Sequence, residues 1–163
     1  MKTFLAASIS RACQLAYSLL IILIIIIAFI KVIASNKPKQ TTVTIRNQTF
    51  LLEVADNDNR RAKGLSKRDS INNQEGMLFI FDTAGFYSFW MKEMKFPIDI
   101  LFIKDNKIVT IYQSVPNPKN GTALTDLPLY KPREAANYVL EINAGLSQKY
   151  GFEEGDMAEI KLP

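Results

Sequence analysis

The chain has 163 residues, enough for one domain and an appendage, with 20 basic residues, 16 acidic residues, one cysteine and no histidine. The lack of histidine excludes a Ser-His-Asp triad, a Cys-His pair and a His-ligated zinc site. Cys13 is the only cysteine, so no intrachain disulfide can form, and neither GxGxxG nor GxxxxGK is present to bind phosphate. We therefore expect no cofactor and no tightly bound transition metal.

The N-terminal segment is the most apolar part of the chain. Within residues 12–30, all but three residues are apolar, and a run of roughly 20 such residues matches the hydrocarbon core of a bilayer. Residues 1–34 are therefore predicted to form a membrane anchor with one transmembrane helix. The alternative is a signal peptide cleaved before Ser35, but the apolar core is longer than the roughly 7–15 residues usual for such peptides.

The bases on the two sides of this segment do not decide its orientation. Lys2 and Arg11 precede it, and lysines follow it at positions 31, 37 and 39, so the positive-inside rule favours neither side. The short, charged N-terminal flank is typical of an export signal that stays in place. The domain is therefore expected outside the cytoplasm, periplasmic or extracellular, on a single-pass anchor whose partner is membrane lipid. A cleaved signal would instead make the protein secreted.

Beyond the anchor, the charges of the chain almost cancel. Of the 20 bases, Lys2, Arg11 and Lys31 belong to the anchor region, which leaves 17 bases against all 16 acids. This balance provides no basic surface for nucleic acid, so no nucleic-acid partner is expected.

Residues 56–59 (Asp-Asn-Asp-Asn) resemble the start of a calcium loop but lack its glycine and its distal glutamate. The better interpretation is a helix cap. Asp56 or Asp58 is predicted to cap a short helix that ends before Gly64.

A polar linker, residues 35–42, leads to a domain predicted to span residues 43–163. Short β-branched and aromatic runs alternate with turns there, without the rhythm of strands and long helices that marks a parallel sheet. The turn at residues 104–107 indicates the clearest hairpin, because Asp105 and Asn106 tolerate positive φ. Strands are predicted at residues 43–45, 49–54, 76–81, 86–91, 98–103, 108–112, 138–142 and 157–162, and short helices within residues 55–64 and 146–150. The expected class is mostly β, a sandwich or barrel-like fold with two short helices, preceded by one N-terminal transmembrane helix.

Residues 75–103 form the densest apolar and aromatic block outside the N-terminus, and they include the only tryptophan, Trp90. Lys92 and Asp99 are charges inside this block. A charge in such a run must be paired, face solvent or serve a function. The question of function therefore concentrates on these two residues.

Two interpretations stay open for each central residue. Trp90 and Lys92 are two residues apart and share one face of the predicted strand, which suggests an aromatic platform beside a cation, whereas a lone tryptophan is more often core. Asp99 needs a cation or several N–H donors around it. A structural salt bridge with Lys92 or Arg61 is favoured for Asp99 over a ligand contact.

Several runs of residues resemble the DUF192 (UPF0127) family. They are RAKGL at 61–65, GMLFIF at 76–81, FWMK at 89–92, PIDILFI at 97–103, YVLEINAG at 138–145 and the Gly-Asp pair at 155–156, in the family's order. The resemblance extends over about residues 42–162. It implies a small β-rich domain of unknown function, often exported or membrane-anchored. The motif positions that it indicates are Arg61, Gly64, Trp90, Lys92, Pro97 and Asp99.

The chain departs from the family pattern in three places. Ser66 stands where methionine is usual, Glu93-Met94 replaces Asn-Thr, and the cysteine pair that many members carry near Tyr130 is absent. A role that depends on that disulfide or that asparagine is therefore not carried over.

Two functions are compatible with these residues. The first is a non-catalytic, membrane-anchored envelope domain that binds a small polar ligand or a protein partner through Arg61, Trp90, Lys92 and Asp99. The second is a carboxylate-dependent hydrolase that acts on envelope sugars, which would need two exposed carboxylates facing one cleft roughly 5–10 Å apart.

Overall fold

The structure is a computed structural model that describes residues 14, 16–30 and 40–162. Residues 1–38 and 39–163 form separate compact units. In the first unit, residues 16–30 form helix α1. None of the helices formed by the described residues has both the length and the hydropathy of a membrane span. The predicted anchor spans residues 1–34, and both of its ends lie outside the described residues. Cys13 lies outside them as well.

The second unit is a single seven-stranded sheet with three short helical segments. Its elements are β1 (Gln40–Ile45), β2 (Gln48–Ala55), α2 (Asp58–Lys63), β3 (Glu75–Gly85), β4 (Ile98–Lys104), β5 (Lys107–Val115), a 3₁₀ turn (Leu124–Asp126), β6 (Ala136–Asn143), α3 (Leu146–Lys149) and β7 (Ala158–Lys161). The strand order is β5-β4-β6-β3-β2-β1-β7. Only β2 and β3 are parallel neighbours in this order. β1 begins inside the predicted linker 35–42, of which residues 35–39 lie outside the described part.

The two outer strands of this order approach each other. Lys107 at the start of β5 forms an isolated bridge with Met157, just before β7. The Ile108 N–H donates to the Asp156 carbonyl oxygen at 3.0 Å, and the Gly155 N–H donates to the Ile108 carbonyl oxygen at 2.8 Å. The sheet therefore curves into a half-barrel, which confirms the mostly β class and its barrel-like form.

Alternate residues of the strands bury two separate clusters on opposite faces of the sheet. One cluster gathers residues of β1, β2, β4 and β6 around Phe50, Phe152 and Leu146 of α3. The other places Phe79 of β3 and Phe102 of β4 beneath a covering segment, residues 86–97. This second face carries the candidate site, because its cover is incomplete.

The predicted strand at residues 86–91 is wrong. Its alternation of exposed and buried residues resembles a strand, but Phe89 forms only one isolated bridge, with Tyr130. Phe89 and Met91 are buried against the sheet face instead. A strand needs a continuous hydrogen-bonding partner, and this segment meets one only at a single residue.

Two local predictions have different outcomes. The turn between β4 and β5 has positive φ at Asp105 (48°) and Asn106 (63°), as predicted. The cap of α2 is neither Asp56 nor Asp58. Asn57 takes this position, and its side-chain oxygen accepts from the Arg60 N–H at 3.0 Å, since the neighbouring acids form ion pairs with arginines of the helix instead.

Candidate functional site

A cleft of about 610 Å³ opens on the sheet face beneath the covering segment. Helix α2 and the residues that follow it, 64–67, form one wall. Residues 87–94 form the opposite wall. The floor is made by β3, through Phe79 and Phe81, and by β6, through Glu141. The cleft exists because the covering segment and α2 each protect part of one apolar sheet face and leave a gap between them.

Arg61 is fixed in the α2 wall by three contacts. Its Nη1 donates to the Ile80 carbonyl oxygen at 2.8 Å, and its Nη2 donates to Asp58 Oδ1 at 2.7 Å. Its Cζ lies 5.2 Å from the centroid of the Phe81 ring. These contacts fix the guanidinium at the cleft. The Arg61 side chain therefore loses little further conformational entropy when a ligand binds.

Trp90 and Lys92 lie together on the opposite wall. The Lys92 Nζ lies 5.6 Å from the centroid of the Trp90 ring. Trp90 is 44% exposed, so the alternative that it is a core residue is wrong. The described part of the chain brings no carboxylate to the Lys92 ammonium. The pair is therefore an aromatic surface with an available cation, as the functional interpretation of the sequence expected, although no strand places it there.

Asp99 lies elsewhere, in the interior at the junction of β4, β5 and α3. It is fully buried. Its Oδ1 accepts from the N–H groups of Ser114 at 2.7 Å and Gly145 at 2.9 Å. Its Oδ2 accepts from the Ser147 N–H at 2.8 Å and the Ser147 hydroxyl at 2.6 Å. Hydrogen-bond donors thus satisfy the carboxylate. This arrangement is stable because hydrogen bonds to a charged acceptor are stronger than those to a neutral one.

The predicted ion pair of Asp99 with Lys92 or Arg61 is therefore wrong. The cleft brings Arg61, Trp90 and Lys92 together, and Asp99 is not among its lining residues. The cause is register. Asp99 pairs with Ile142 on β6, whereas Glu141 is the partner of Ile100, so these two acids emerge on opposite faces of the sheet.

Glu141 is the acid that the sequence interpretation missed. It is only 5% exposed, and it lies at the floor of the cleft. Its register neighbours are Met77 on β3 and Ile100 on β4, both apolar. Burial raises the pKa of Glu141 to about 8, with no hydrogen bond or charge contributing. Like Asp99, Glu141 is an acid inside an apolar strand, in the run YVLEIN, and this pattern in the sequence could have identified it.

The carboxyl group of Glu141 opens into the cleft. In residues 14, 16–30 and 40–162, every fully enclosed side-chain polar atom has a hydrogen-bond partner. Since the Glu141 carboxyl has no such partner, its oxygens are not fully enclosed, and the cleft is the space that it lines. The Glu141 oxygens therefore reach the cleft without a hydrogen-bond partner in the protein, and they are available to a ligand.

The other two carboxylates of the cleft are already paired. Asp58 bonds to Arg61, and Glu93 lies 3.4 Å from the Lys67 Nζ. Across the described ranges, no three acidic, histidine or cysteine side chains are grouped to hold a metal ion. The cleft can therefore supply hydrogen bonds, cations and aromatic surface, with Glu141 as its one unpaired acid among these described carboxylates.

Comparisons with known proteins identify relatives of the domain. The DUF192 family, described as "Uncharacterized ACR", matches residues 41–160. A UPF0127 protein of Pyrococcus abyssi is 32% identical over 113 residues, which cover 66% of this chain and 84% of that protein.

Two crystal structures resemble the domain at 29% identity each. One is a protein from Sinorhizobium meliloti 1021, provisionally described as a transcription regulator, with a TM-score of 0.69 over 76% of this chain and 95% of that chain. The other is a protein of unknown function from Novosphingobium aromaticivorans, with a TM-score of 0.65 over 74% of this chain and 83% of that chain.

Proposed function

The chain belongs to the DUF192 (UPF0127) family of uncharacterised proteins, and within that family we propose that its domain is a non-catalytic binding module for a small polar ligand. The observation that carries this proposal is the cleft itself. An aromatic surface and a cation, Trp90 and Lys92, face a fixed guanidinium, Arg61, above a buried carboxyl group that no protein group satisfies. Concave sites with apolar walls and a few convergent polar groups are typical of ligand sites.

The binding function is favoured over a carboxylate-dependent hydrolase. A hydrolase of the two-carboxylate type needs a second carboxylate free to act as base or nucleophile. Asp58 and Glu93, the other acids of the cleft, are each engaged with a cation. A binding module needs only the aromatic surface, the cations and the single carboxyl.

The cleft can be tested with its own reporter, because Trp90 is the only tryptophan of the chain. The full-length protein in non-ionic detergent is titrated with a panel of small molecules: sulfate, acetate, glucose, N-acetylglucosamine and choline. We expect at least one to change the Trp90 fluorescence saturably. Lys92→Met, which removes the cation beside the ring, should weaken that binding by roughly tenfold, as for one lost ionic hydrogen bond of about 1.5 kcal/mol.

The matched control is Lys95→Met. Lys95 lies close in sequence but pairs with Asp69 and does not line the cleft, so its loss should leave binding unchanged. A panel without any saturable change, or equal losses in both lysine variants, would refute a ligand site at this cleft.

We propose further that the N-terminal segment anchors the protein in a membrane with the domain outside the cytoplasm. The support is the apolar run of residues 12–30 and its short, charged flank. In spheroplasts of a Gram-negative host that express the full-length chain, external protease should degrade the domain while it sediments with membranes. A domain protected until lysis would reverse the orientation. A soluble domain that begins at Ser35 would show a cleaved signal instead.

A further inference from the structure

We infer that the ligand of this cleft carries an oxyanion, and that Glu141, as a neutral carboxylic acid, donates a hydrogen bond to it. This inference rests on the proposed function of the cleft as a ligand site and adds the chemical class of the ligand. Nothing beyond hydrogen bonding is involved: the proton stays on the Glu141 carboxyl group, and no covalent bond forms or breaks.

The first support is the charge of the cleft walls. Four bases line the cleft, at Arg61, Lys63, Lys67 and Lys92. Two acids oppose them in ion pairs, Asp58 with the Arg61 guanidinium and Glu93 with Lys67. Fixed charge of one sign in a concave site concentrates ligands of the other sign. With Glu141 neutral, the residues that line the cleft carry a net positive charge. This charge favours an anionic ligand and disfavours a free amine.

Not all of these bases are equally available. The charge of Lys63 acts on Glu53, whose pKa is lowered chiefly by its hydrogen bond from Arg68 and to a smaller extent by Lys63. The Lys92 ammonium lies over the Trp90 ring and forms no ion pair with the other described residues. Arg61 keeps N–H groups beyond those on Ile80 and Asp58. Arg61 and Lys92, on opposite walls, are therefore the cations that an oxyanion would meet.

The second support is the surroundings of Glu141. The strands on its two sides place Met77 and Ile100 beside it, so they contribute no charge. The remaining titratable side chain of the cleft is Tyr87, whose hydroxyl donates to the Thr83 carbonyl oxygen at 2.8 Å. Neither the strand neighbours nor Tyr87 stabilises an ionised Glu141, and burial raises the pKa of its carboxyl group to about 8, which favours the neutral form at pH 7.

A protonated carboxyl group and a carboxylate have opposite effects on an anion. The protonated form offers an O–H donor, whose bond to an oxyanion is charge-assisted. The ionised form offers only acceptors and repels the anion. Binding should therefore be strong at neutral pH and should fall as the pH rises through the pKa of Glu141.

The probe for this test is sulfate, whose charge is constant across the range, with acetate as a carboxylate probe. Binding to the full-length protein is followed by Trp90 fluorescence at pH 6.5 and pH 9.5. If only the neutral form binds, a pKa of about 8 predicts a loss of affinity of about 30-fold between these two pH values. The comparison of sulfate with acetate shows whether the site distinguishes a tetrahedral oxyanion from a planar one.

Two substitutions isolate Glu141. Glu141→Gln keeps a hydrogen-bond donor and cannot ionise, so it should bind sulfate equally at both pH values. Glu93→Gln removes an acid of the cleft wall rather than of its floor, and it should keep the 30-fold loss. In the wild-type protein, ¹³C NMR of labelled glutamate carboxyl groups should show one group that titrates near pH 8, which tests the protonation state without any substitution.

Several results would overturn the inference. They are equal wild-type affinity for sulfate at pH 6.5 and pH 9.5, an unchanged pH dependence in Glu141→Gln, or a Glu141 resonance that titrates near pH 4.5. If sulfate and acetate do not bind at pH 6.5 but a sugar or choline does, the inference fails and the proposed ligand site stands. If nothing in the panel binds, both fail.

Discussion

Replacing Asp99 by alanine should destabilise the domain by about 5 kcal/mol, because two buried donors of Ser147 and two partly buried backbone N–H groups lose their acceptor at once. Each buried donor left without a partner costs roughly 1–3 kcal/mol. The donors are the N–H groups of Ser114, Gly145 and Ser147 and the Ser147 hydroxyl. Ser114 has a positive φ of 51°, beside an irregularity in the β4–β5 register. Asp99 therefore also holds a strained segment in place.

Asp99→Asn separates the acceptor from the charge. Its oxygen can still accept from Ser114 and Gly145, but its amide group would meet the Ser147 N–H, which cannot accept a hydrogen bond. We expect a loss of about 2–3 kcal/mol, roughly half of the alanine effect. Urea unfolding of the full-length protein, followed by circular dichroism, should give the order wild type, Asp99→Asn, Asp99→Ala.

Two controls distinguish this account from the ion-pair interpretation. Asp69→Ala removes an exposed acid that pairs with Lys95, and it should leave the unfolding midpoint unchanged. Lys92→Met should also leave it unchanged, whereas an Asp99–Lys92 pair would make both partners essential. An Asp99→Ala protein as stable as the wild type would show that these hydrogen bonds do not hold the interior together.

The features that the sequence predicted correctly are local ones. The Asp105-Asn106 turn depends on two residues that tolerate positive φ, and the structure has both. The strands at β4 and β6 follow from short β-branched runs. The family motifs identified the relatives. Three of the motif residues, Arg61, Trp90 and Lys92, line one cleft in the structure.

What the sequence did not predict depends on partners that are distant along the chain. Residues 86–91 alternate like a strand but have only Tyr130 to pair with. Asp99 and Glu141 are both acids in apolar strands, and the sequence alone does not tell which has donors. The difference arises because Gly145 and Ser147 fold back over Asp99, while the face of Glu141 stays open beside α2.

The stability of the domain should fall by about 5 kcal/mol as the pH rises from 4.5 to 8, through Glu141 alone. Its pKa is raised by burial from 4.5 in an unstructured chain to about 8. The folded state therefore holds the proton more tightly, and the contribution to stability is complete below pH 4.5. It is lost at about 1.4 kcal/mol per pH unit through that window and is absent above pH 8.

Other acids act in the opposite direction but in a different window. The hydrogen bond from Arg68 lowers the pKa of Glu53, and the hydrogen bond from Arg46 lowers the pKa of Asp156. Such groups stabilise the fold above their ordinary pKa values of 4.5 and 3.8, and that stability is lost as the pH falls. Above pH 5 these acids are mainly ionised in both states, so the stability change between pH 5 and pH 8 comes chiefly from Glu141.

Glu141→Gln should remove this slope, because glutamine has nearly the same shape and no proton to lose. The free energy of unfolding of this variant, from urea titrations of the full-length protein at pH 5, 6.5, 8 and 9, should be nearly constant. At pH 9 the variant should exceed the wild type by several kcal/mol, since the wild type then buries an unpaired carboxylate. Glu134→Gln, at an exposed position, should keep the wild-type slope. A flat wild-type profile would mean that water or a rearranged cation already satisfies the Glu141 carboxylate, and the cleft would then hold no neutral acid to offer a ligand.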